Sequence, residues 1–299
     1  MSITTAPEPA GGRLAGALMP LLFVVLWSTG FIGAKFGLPY AEPLTFLTLR
    51  FTAVLGLMLV LSVLLRAPWP AVPMQWIHIG ISGLLIHGIY QAGVFTAISH
   101  GLPSGITALI VGMQPLITAL AAGTLLGERV RAAQWVGLAL GFAGVALVVE
   151  GKVASIPGDM PTMLMLAAIA LAGITAGTLY QKRFCASFDL RTGSVIQFLP
   201  CLVFTAILAG STETMAVEWT GEFMFALGWL VLVLSVGAVT LLNLLIRKGG
   251  AVNVASLFYL TPPTTALIAW VMFGETLNAV AWLGMGLAVA GVWLARQAK

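Results

Sequence analysis

Residues 115–145 read PLITALAAGTLLGERVRAAQWVGLALGFAGV, and residues 262–292 read PPTTALIAWVMFGETLNAVAWLGMGLAVAGV. Both stretches begin with proline, contain Gly-Glu near their middle and end on Gly-Val, so the second repeats the first at one constant offset, which takes Pro115 to Pro262. The same offset also pairs Gly30 with Gly177, Lys35 with Lys182, and Phe51 with Phe198. One register kept over such a distance without gaps indicates an internal duplication.

The composition of the 299-residue chain is strongly apolar, with 60% hydrophobic and 8% charged residues and a mean hydropathy of +1.04. Soluble globular proteins carry about 25% charged residues, and so few charges cannot cover a soluble surface. We therefore exclude an ordinary soluble enzyme, a nucleic-acid-binding domain and a disordered chain. The composition predicts a polytopic protein whose surroundings are the lipid bilayer.

A helix that crosses a bilayer needs about 20 mostly apolar residues. Division of the sequence at charges and at Pro/Gly clusters yields ten such segments, numbered here as spans 1 to 10: 16–36, 43–65, 74–97, 102–126, 132–150, 161–181, 191–210, 222–245, 250–273 and 278–296. The predicted fold is an all-α polytopic membrane protein with a tail at 1–15, a first repeat at 16–150 and a second at 161–296. Each repeat has five spans, an odd number, so we expect the second repeat to be inverted.

Basic residues concentrate on one side of the predicted bundle. With the N-terminus in the cytoplasm, Lys35 and Lys152 fall outside, and eleven basic residues fall inside: Arg13, Arg66, Arg129, Arg131, Lys182, Arg183, Arg191, Arg247, Lys248, Arg296 and Lys299. This bias predicts that the tail and both termini are cytoplasmic. Inverted repeats are typical of secondary transporters, whose substrate site lies between the halves near the membrane midplane.

Several short motifs keep a fixed order along the chain: Leu26-Trp27-Ser28-Thr29-Gly30-Phe31, Leu49-Arg50-Phe51, Gln114-Pro115 before Gly127-Glu128, and Thr261-Pro262-Pro263 before Gly274-Glu275. With these motifs the chain resembles, over about residues 18–296, the drug/metabolite transporter superfamily and specifically its ten-span EamA-type branch. The resemblance implies two EamA-like repeats in a bacterial inner (plasma) membrane that export small metabolites, often amino acids. YddG-like aromatic amino-acid exporters are one branch.

Polar side chains inside the spans are candidate substrate contacts, since an intramembrane polar group is costly unless it is paired or hydrated. We expect those of spans 3 and 9 to line a central cavity together with Trp27. For each candidate, a hydrogen bond between helices is the alternative role. The candidates are Trp27, Ser28, His87, Tyr90, Gln91, Gln114, Tyr180, Asn243, Asn253, Ser256 and Tyr259.

Arg50 is the one charge well inside a predicted span. We favour a structural role in which it braces helix ends by binding carbonyls, with a substrate carboxylate as the alternative. Pro115, Pro262 and Pro263 lie within spans 4 and 9, where they kink a helix. Such a kink can serve as a hinge, or it can expose main-chain carbonyls that bind a substrate. A fixed structural bend is the alternative.

Small residues recur at helical spacing in spans 5 and 10: Gly137, Gly141, Gly144, Gly284, Ala288 and Gly291. Such faces let helix backbones approach closely in lipid. We therefore expect these spans to form scaffold, with a contact between two copies of the chain as a further use. A monomer and a homodimer both remain open.

Few groups in the sequence could couple transport to an energy source. No Asp or Glu lies in the core of a predicted span, and the chain has no GxxxxGK[ST] segment that would bind ATP. His87 is the one predicted buried group that titrates near neutral pH. We expect flow of substrate down its own gradient, or weak proton antiport through His87. Cys185 and Cys201 form no CxxC or Cys/His cluster, so no metal or cofactor is predicted.

The sequence therefore predicts a secondary transporter that exports small organic metabolites, above all amino acids with aromatic or other apolar side chains, by alternating access through a central cavity. One alternative is a membrane-embedded enzyme that acts on a lipid-soluble substrate. An enzyme needs clustered catalytic groups, and His78, His87 and His100 form no cluster with acids. Another alternative, an ion channel, needs a polar filter or a charged ring, and none is visible. We predict that the protein is not an enzyme.

Overall fold

The computed structural model describes residues 10–102, 104–150, 159–185, 187–273 and 277–297. Within these ranges the regular secondary structure is helical, apart from an isolated antiparallel bridge between Ala41 and Val217, and turns and loops join the helices. The helices are α1 (Ala10–Gly37), α2 (Pro43–Leu64), α3 (Pro73–Gly83), α4 (Tyr90–Ser99), α5 (Ser104–Val111), α6 (Gln114–Leu126), α7 (Ala132–Glu150), α8 (Met160–Phe184), α9 (Leu190–Thr212), α10 (Gly221–Trp229), α11 (Val239–Lys248), α12 (Ala251–Ala255), α13 (Thr261–Phe273) and α14 (Ala279–Gln297). Four features of the sequence analysis lie outside the described residues: positions 1–9 of the tail, Lys152, Gly274-Glu275 and Lys299.

These helices form the ten predicted spans. Within the described ranges, eight of these spans are long and apolar enough to cross a membrane. The shorter apolar stretches Leu18–Ala34 and Ala132–Val148 represent spans 1 and 5. Span 3 combines α3 with α4, span 4 combines α5 with α6, span 8 combines α10 with α11, and span 9 combines α12 with α13. The prediction of an all-α bundle is confirmed.

Spans 5 and 10 lie side by side and reveal how the two repeats are related. A Cβ built on Gly144 would lie 2.4 Å from the Ala288 nitrogen, and one built on Gly291 would lie 2.4 Å from the Gly141 nitrogen. By the offset of the duplication, Gly144 corresponds to Gly291 and Gly141 to Ala288, so each repeat makes the same contact with the other. Reciprocal contacts of this kind are what a two-fold axis produces. The small-residue face is therefore buried within the chain.

The same axis passes between spans 2 and 7, which are equivalent in the two repeats and pack against each other. Phe51 and its equivalent Phe198 meet there with 5.6 Å between their ring centroids. Both rings are fully buried and belong to an apolar core that includes residues of both repeats. The two repeats thus share one core rather than forming separate units.

Spans 3 and 8 each contain a π-helical segment, at equivalent positions. The segments are Leu84–Ile89 and Leu230–Ala238, and the offset maps the first onto 231–236. A Cβ on Gly83, just before the first segment, would lie 2.4 Å from the Gln197 Cα, so span 3 passes span 7 at backbone distance. Because a π turn adds a residue to the helical turn, it rotates the side chains that follow.

Spans 4 and 9 are interrupted close to their prolines. Span 4 breaks at residues 112–113, and Pro115 lies in the first turn of α6. Span 9 passes through a 3₁₀ segment, Ser256–Leu260, before Pro262 and Pro263 enter the first turn of α13. Proline lacks the N–H that an interior helical position donates, but the first turn does not need it. Each proline position therefore begins a second half-helix.

Candidate substrate site between the repeats

A small cavity of about 40 Å³ lies among spans 1, 2, 3 and 8. Its lining residues are Trp27, Gly30, Ala34, Arg50, Tyr90, Gln91, Val94, Phe95, Ile98 and Leu234. All except Leu234 belong to the first repeat, and Ser235 of the second repeat contacts Arg50, so the cavity lies in the first repeat at its boundary with the second. The structure brings three predicted site residues together here, namely Trp27, Tyr90 and Gln91, and adds Arg50.

Arg50 is the charged residue of this cavity, and its side chain is 1% exposed. It donates from Nη1 to Gln91 Oε1 (2.7 Å) and from Nε and Nη2 to Ser235 Oγ (3.1 and 3.0 Å). We expected main-chain carbonyls as partners, but these partners are side chains of spans 3 and 8. Among the described residues no carboxylate pairs with Arg50. Arg50 follows the start of span 2 by seven residues, which corresponds to about 10 Å of helix. At this depth in a span an uncompensated charge is costly.

The rings of Trp27 and Tyr90 line the cavity, and further aromatic rings pack against Trp27. Trp27 and Tyr90 stack with 6.4 Å between their centroids and 18° between their planes. The ring of Phe258 in span 9 meets Trp27 edge-on at 5.4 Å, and Phe23 packs against Trp27 at 5.3 Å. A guanidinium beside aromatic rings suits a molecule that combines an anionic group with an apolar side chain.

The end of the bundle that carries Glu42, Glu213 and Glu222, here named the acidic end, is tied by hydrogen bonds between the repeats. Glu213 accepts from the main-chain N–H groups of Leu44 (2.8 Å) and Thr45 (2.7 Å), and from the Thr45 hydroxyl (2.7 Å). A carboxylate of the second repeat thus caps the N-terminus of span 2, where the helix dipole favours an anion.

Two further contacts join the repeats at the acidic end. Glu42 accepts from the main-chain N–H (2.7 Å) and the hydroxyl (2.6 Å) of Thr214. Tyr40 donates its phenol to Glu222 (2.6 Å), and this bond to a carboxylate raises the pKa of Tyr40. The sequence pattern does not pair these acids, because their partners belong to the other repeat and are distant along the chain.

Below these hydrogen bonds, a layer of rings separates the cavity from the acidic end. Phe46 contacts Phe95 at 6.0 Å and Phe223 at 5.3 Å between centroids. All three rings are buried, and Phe95 also lines the cavity. The cavity is therefore closed on this side by an aromatic layer and a polar layer.

The opposite end carries most of the described Lys and Arg residues and is named the basic end. Here Thr192 donates to the Pro68 carbonyl (2.8 Å), which joins span 7 to the loop after span 2. Glu128, from the duplicated Gly-Glu pair, accepts from the main-chain N–H of Ala251 (3.0 Å) and caps the start of α12. A residue of the duplicated motif thus closes a helix end of the other repeat.

Three buried amides form a closed ring closer to the basic end. Gln181 donates to Asn243 (2.8 Å), Asn243 donates to Gln197 (3.2 Å), and Gln197 donates back to Gln181 (3.1 Å). Asn243 was predicted as a cavity residue, and the structure places it in this ring instead. Gln197, which the sequence analysis missed, is the equivalent of Arg50 in the duplication.

Other predicted site residues also lie away from the cavity. His87 stacks on Phe198 at 4.9 Å, and both of its ring nitrogens lack a partner among the described residues. Tyr180 hydrogen-bonds His78 Nδ1 (2.7 Å), and Gln114 is buried beside span 6. Across the described chain, no three His, Cys, Asp or Glu side chains come close enough to hold a metal ion.

The polar residues of span 9 do not reach the cavity, contrary to expectation. Asn253 accepts from Gln134 (3.4 Å), and Ser256 donates to the Asn253 carbonyl (3.0 Å). Tyr259 is fully buried against span 5, and its hydroxyl has no partner within the described ranges. Ser28 donates to main-chain carbonyls of spans 1 and 9. Ser256 and Tyr259 lie in the 3₁₀ segment, which has three residues per turn, so α-helical spacing misplaces the face on which these two side chains lie.

Comparison with known proteins identifies the family. The EamA-like transporter family matches residues 14–150 and, a second time, residues 161–297. This chain belongs to the EamA-like transporter family. The double match confirms both the expected resemblance and the architecture of two five-span repeats.

Relatives of this EamA-like transporter agree with that assignment. "Uncharacterized inner membrane transporter YedA" of Escherichia coli (strain K12) is 28% identical over 288 residues, which cover 96% of this chain and 91% of that protein. "Probable amino-acid metabolite efflux pump" of Salmonella typhimurium is 28% identical over 287 residues, covering 92% and 93%. A protein of known crystal structure with 23% identity shares the fold, with a TM-score of 0.76 over 96% of this chain and 99% of its own. The EamA-like transporter is therefore a multi-pass membrane transporter.

Proposed function

We propose that this EamA-like transporter exports amino acids, in particular those with aromatic or other apolar side chains, from the bacterial cytoplasm across the inner membrane. The observation that carries the proposal is the cavity between the repeats, where Arg50 lies beside Trp27 and Tyr90. Substrate would pass by alternating access, as the repeats separate first at the basic end and then at the acidic end. The relative named as an amino-acid metabolite efflux pump supports this substrate class.

A larger groove of about 870 Å³ lies between spans 4 and 6, but we do not place the substrate there. Leu125, Ala172 and Phe184 line this groove and are exposed on the surface of the bundle, at positions that face lipid. The groove is lined mainly by apolar side chains, with Thr124, Tyr180 and Arg183 among the polar ones, and lipid chains suit such a surface. The small cavity instead holds a buried charge, Arg50. The small cavity is therefore the better substrate site.

The size of the cavity supports a carrier rather than an open pore. One water molecule needs about 10–15 Å³, so a cavity of about 40 Å³ admits a few waters and no amino acid. A substrate can then bind only when one repeat moves against the other, which is how inverted-repeat carriers work. The cavity is complete within one chain, so a monomer suffices, and a homodimer is also compatible with this proposal.

For the driving force, we propose that substrate flows down its own gradient. A second candidate is proton antiport through His87, favoured by its two ring nitrogens without partners among the described residues. Purified His87→Ala protein in liposomes should still conduct substrate down a gradient. Loss of pH-driven uptake with intact downhill flux would support antiport instead.

Counterflow in proteoliposomes tests the export function. Vesicles preloaded with L-phenylalanine should take up the labelled amino acid with saturation, because a carrier exchanges substrate across the membrane. Trp27→Ala should weaken apparent affinity about tenfold through the loss of a packed ring. The matched control is Trp293→Ala, at an exposed position of span 10, and it should transport normally. Absence of saturable exchange for every common amino acid would contradict the proposed function.

A further inference from the structure

We propose that Arg50 binds the carboxylate of the transported substrate, and so restricts transport to carboxylates with an apolar or aromatic side chain. This inference rests on the proposed function and specifies its substrate class. Under this proposal the transporter does not accept neutral amides or simple amines, even when they carry the side chain of a transported acid. Three properties of Arg50 support it: its free donors, its uncompensated charge, and its contrast with the equivalent residue of the second repeat.

The guanidinium of Arg50 has two N–H donors that are not engaged within the described structure. Arginine carries five N–H groups, and the bonds to Gln91 and Ser235 use three of them. The remaining donors are one on each terminal nitrogen. A carboxylate can accept from such donors, and hydrogen bonds between a guanidinium and a carboxylate are stronger than neutral ones.

The charge of Arg50 has no counter-ion among the described residues. Its partners, Gln91 and Ser235, are neutral, and the remaining side chains that line the cavity are uncharged. A buried charge with neutral partners only is costly in a membrane-spanning segment. A substrate carboxylate would supply the missing charge at the place where the cavity allows a ligand to bind.

The second repeat shows what this position needs for packing alone. Gln197 is the equivalent of Arg50, and each residue follows the start of its helix, α2 or α9, by seven residues. Gln197 completes a ring of neutral amides with Gln181 and Asn243. A neutral side chain therefore satisfies the packing at this position of the fold. Packing therefore does not explain the positive charge of Arg50, whereas the binding of an anion does.

The lining of the cavity also indicates which groups of the substrate matter. Trp27 and Tyr90 line the cavity with aromatic side chains, which suit an apolar or aromatic group of a substrate. The described lining contains no carboxylate that would pair with the substrate's ammonium group. We therefore expect the carboxylate to dominate recognition, so that an acid without an amino group also binds.

The test is competition for counterflow of labelled L-phenylalanine by the full-length transporter in proteoliposomes. The competitors are L-phenylalanine, 3-phenylpropionate, which lacks the amino group, and L-phenylalaninamide, which lacks the carboxylate. We expect the first two to compete, and the amide to require at least about tenfold higher concentration. Equal competition by the amide overturns the role of Arg50 and leaves export standing. If the wild-type protein shows no saturable exchange with any amino acid, export is overturned, and this inference with it.

Variants separate recognition from folding. Arg50→Gln introduces the side chain that the second repeat carries, so we expect a folded protein whose L-phenylalanine exchange falls at least about tenfold and whose preference for acid over amide disappears. Exposed Arg129→Gln removes one positive charge elsewhere and should behave as wild type. A folded Arg50→Gln protein that keeps the acid preference overturns the assignment. If that variant does not fold, Arg50→Met decides, because methionine is unbranched and carries neither the charge nor the N–H donors. An unchanged acid preference in Arg50→Met overturns the assignment.

Discussion

The two ends of the bundle are equivalent by the duplication, yet they are joined by different chemistry. At the acidic end Thr45 donates to the Glu213 carboxylate (2.7 Å), whereas at the basic end its equivalent, Thr192, donates to the Pro68 carbonyl (2.8 Å). Hydrogen bonds to an ionised acceptor are about twice as strong as those between neutral groups. Glu213 also accepts two main-chain N–H groups. Among the described contacts, three carboxylates join the repeats at the acidic end and one, Glu128, at the basic end, so the acidic end is the more firmly closed of the two.

The residues that precede spans 2 and 7 show the same contrast. Glu42 and Asp189 are equivalent, but Glu42 binds Thr214 of the other repeat, whereas Asp189 binds Arg191 two residues further on (2.7 Å). The hydrogen bonds from Arg191 lower the pKa of Asp189. One carboxylate joins the repeats and the other does not. A backbone with approximate two-fold symmetry can thus have two ends at which the repeats are joined by hydrogen bonds of unequal strength. A carrier that favours closure at one end requires such a difference.

Disruption of the contact between spans 5 and 10, on the axis that relates the two ends, should cause the largest loss of stability. Gly144→Leu places a side chain where a Cβ alone would lie 2.4 Å from the Ala288 nitrogen. Overpacking of this severity should cost more than about 3 kcal/mol, so we expect no monodisperse protein in size-exclusion chromatography. Gly286→Leu is the control, because nothing lies within 4 Å of a Cβ built there. A Gly144→Leu protein that folds and transports would contradict the axis between spans 5 and 10.

The pair of equivalent threonines measures the difference between the ends directly. Thr45→Val should lower the free energy of unfolding by about 2 kcal/mol, because its acceptor is a carboxylate, and Thr192→Val by about 1 kcal/mol. Valine keeps the shape of threonine, and both positions are buried, so each substitution serves as the control for the other. The measurement is unfolding of the purified proteins in detergent. Equal losses would show that the acidic end is not the stronger one.

The exposed bond from Tyr40 to Glu222 should give the smallest effect, visible only at high pH. Because this bond raises the pKa of Tyr40 above 10.0, its stabilisation is fully present below pH 10 and is lost as the pH rises through the raised pKa. Tyr40→Phe removes the bond at every pH. The unfolding temperature of the variant should therefore lack one alkaline step that the wild type shows. Identical pH profiles would rule out this contribution.

Much of the architecture was predictable because the duplication fixes it. Its constant offset sets the number of spans per repeat and identifies the small residues that meet at the axis, such as Gly144 and Ala288. It also relates Arg50 to Gln197, a comparison that the sequence alone permits and that the sequence analysis did not draw. These features depend only on which residues of the two repeats are equivalent, and the constant offset in the sequence gives that equivalence.

The candidate site was predictable only in part, because helical spacing assumes 3.6 residues per turn. The π segment Leu84–Ile89 directly precedes Tyr90 and Gln91, which reach the cavity, while His87 within it does not. In span 9 a 3₁₀ segment contains Ser256 and Tyr259, and both lie elsewhere. Ser235 lies in the second π segment, and no pattern marked it as a partner of Arg50. Departures from the regular helix thus account for these positions, whereas Gln114, Tyr180, Asn243 and Asn253 lie in regular helices and outside the cavity.

The central claim is that the repeats separate at one end at a time around the cavity of Arg50. Spin labels at Pro39 and Trp219 report the distance across the acidic end, and labels at Arg66 and Ser187 report it across the basic end. In proteoliposomes without substrate, we predict one short distance at the acidic end and a broader distribution at the basic end. On addition of L-phenylalanine, the acidic-end distance should lengthen in part of the population while the basic-end distance shortens. Unchanged distances at both ends in protein that is transporting L-phenylalanine would contradict the account.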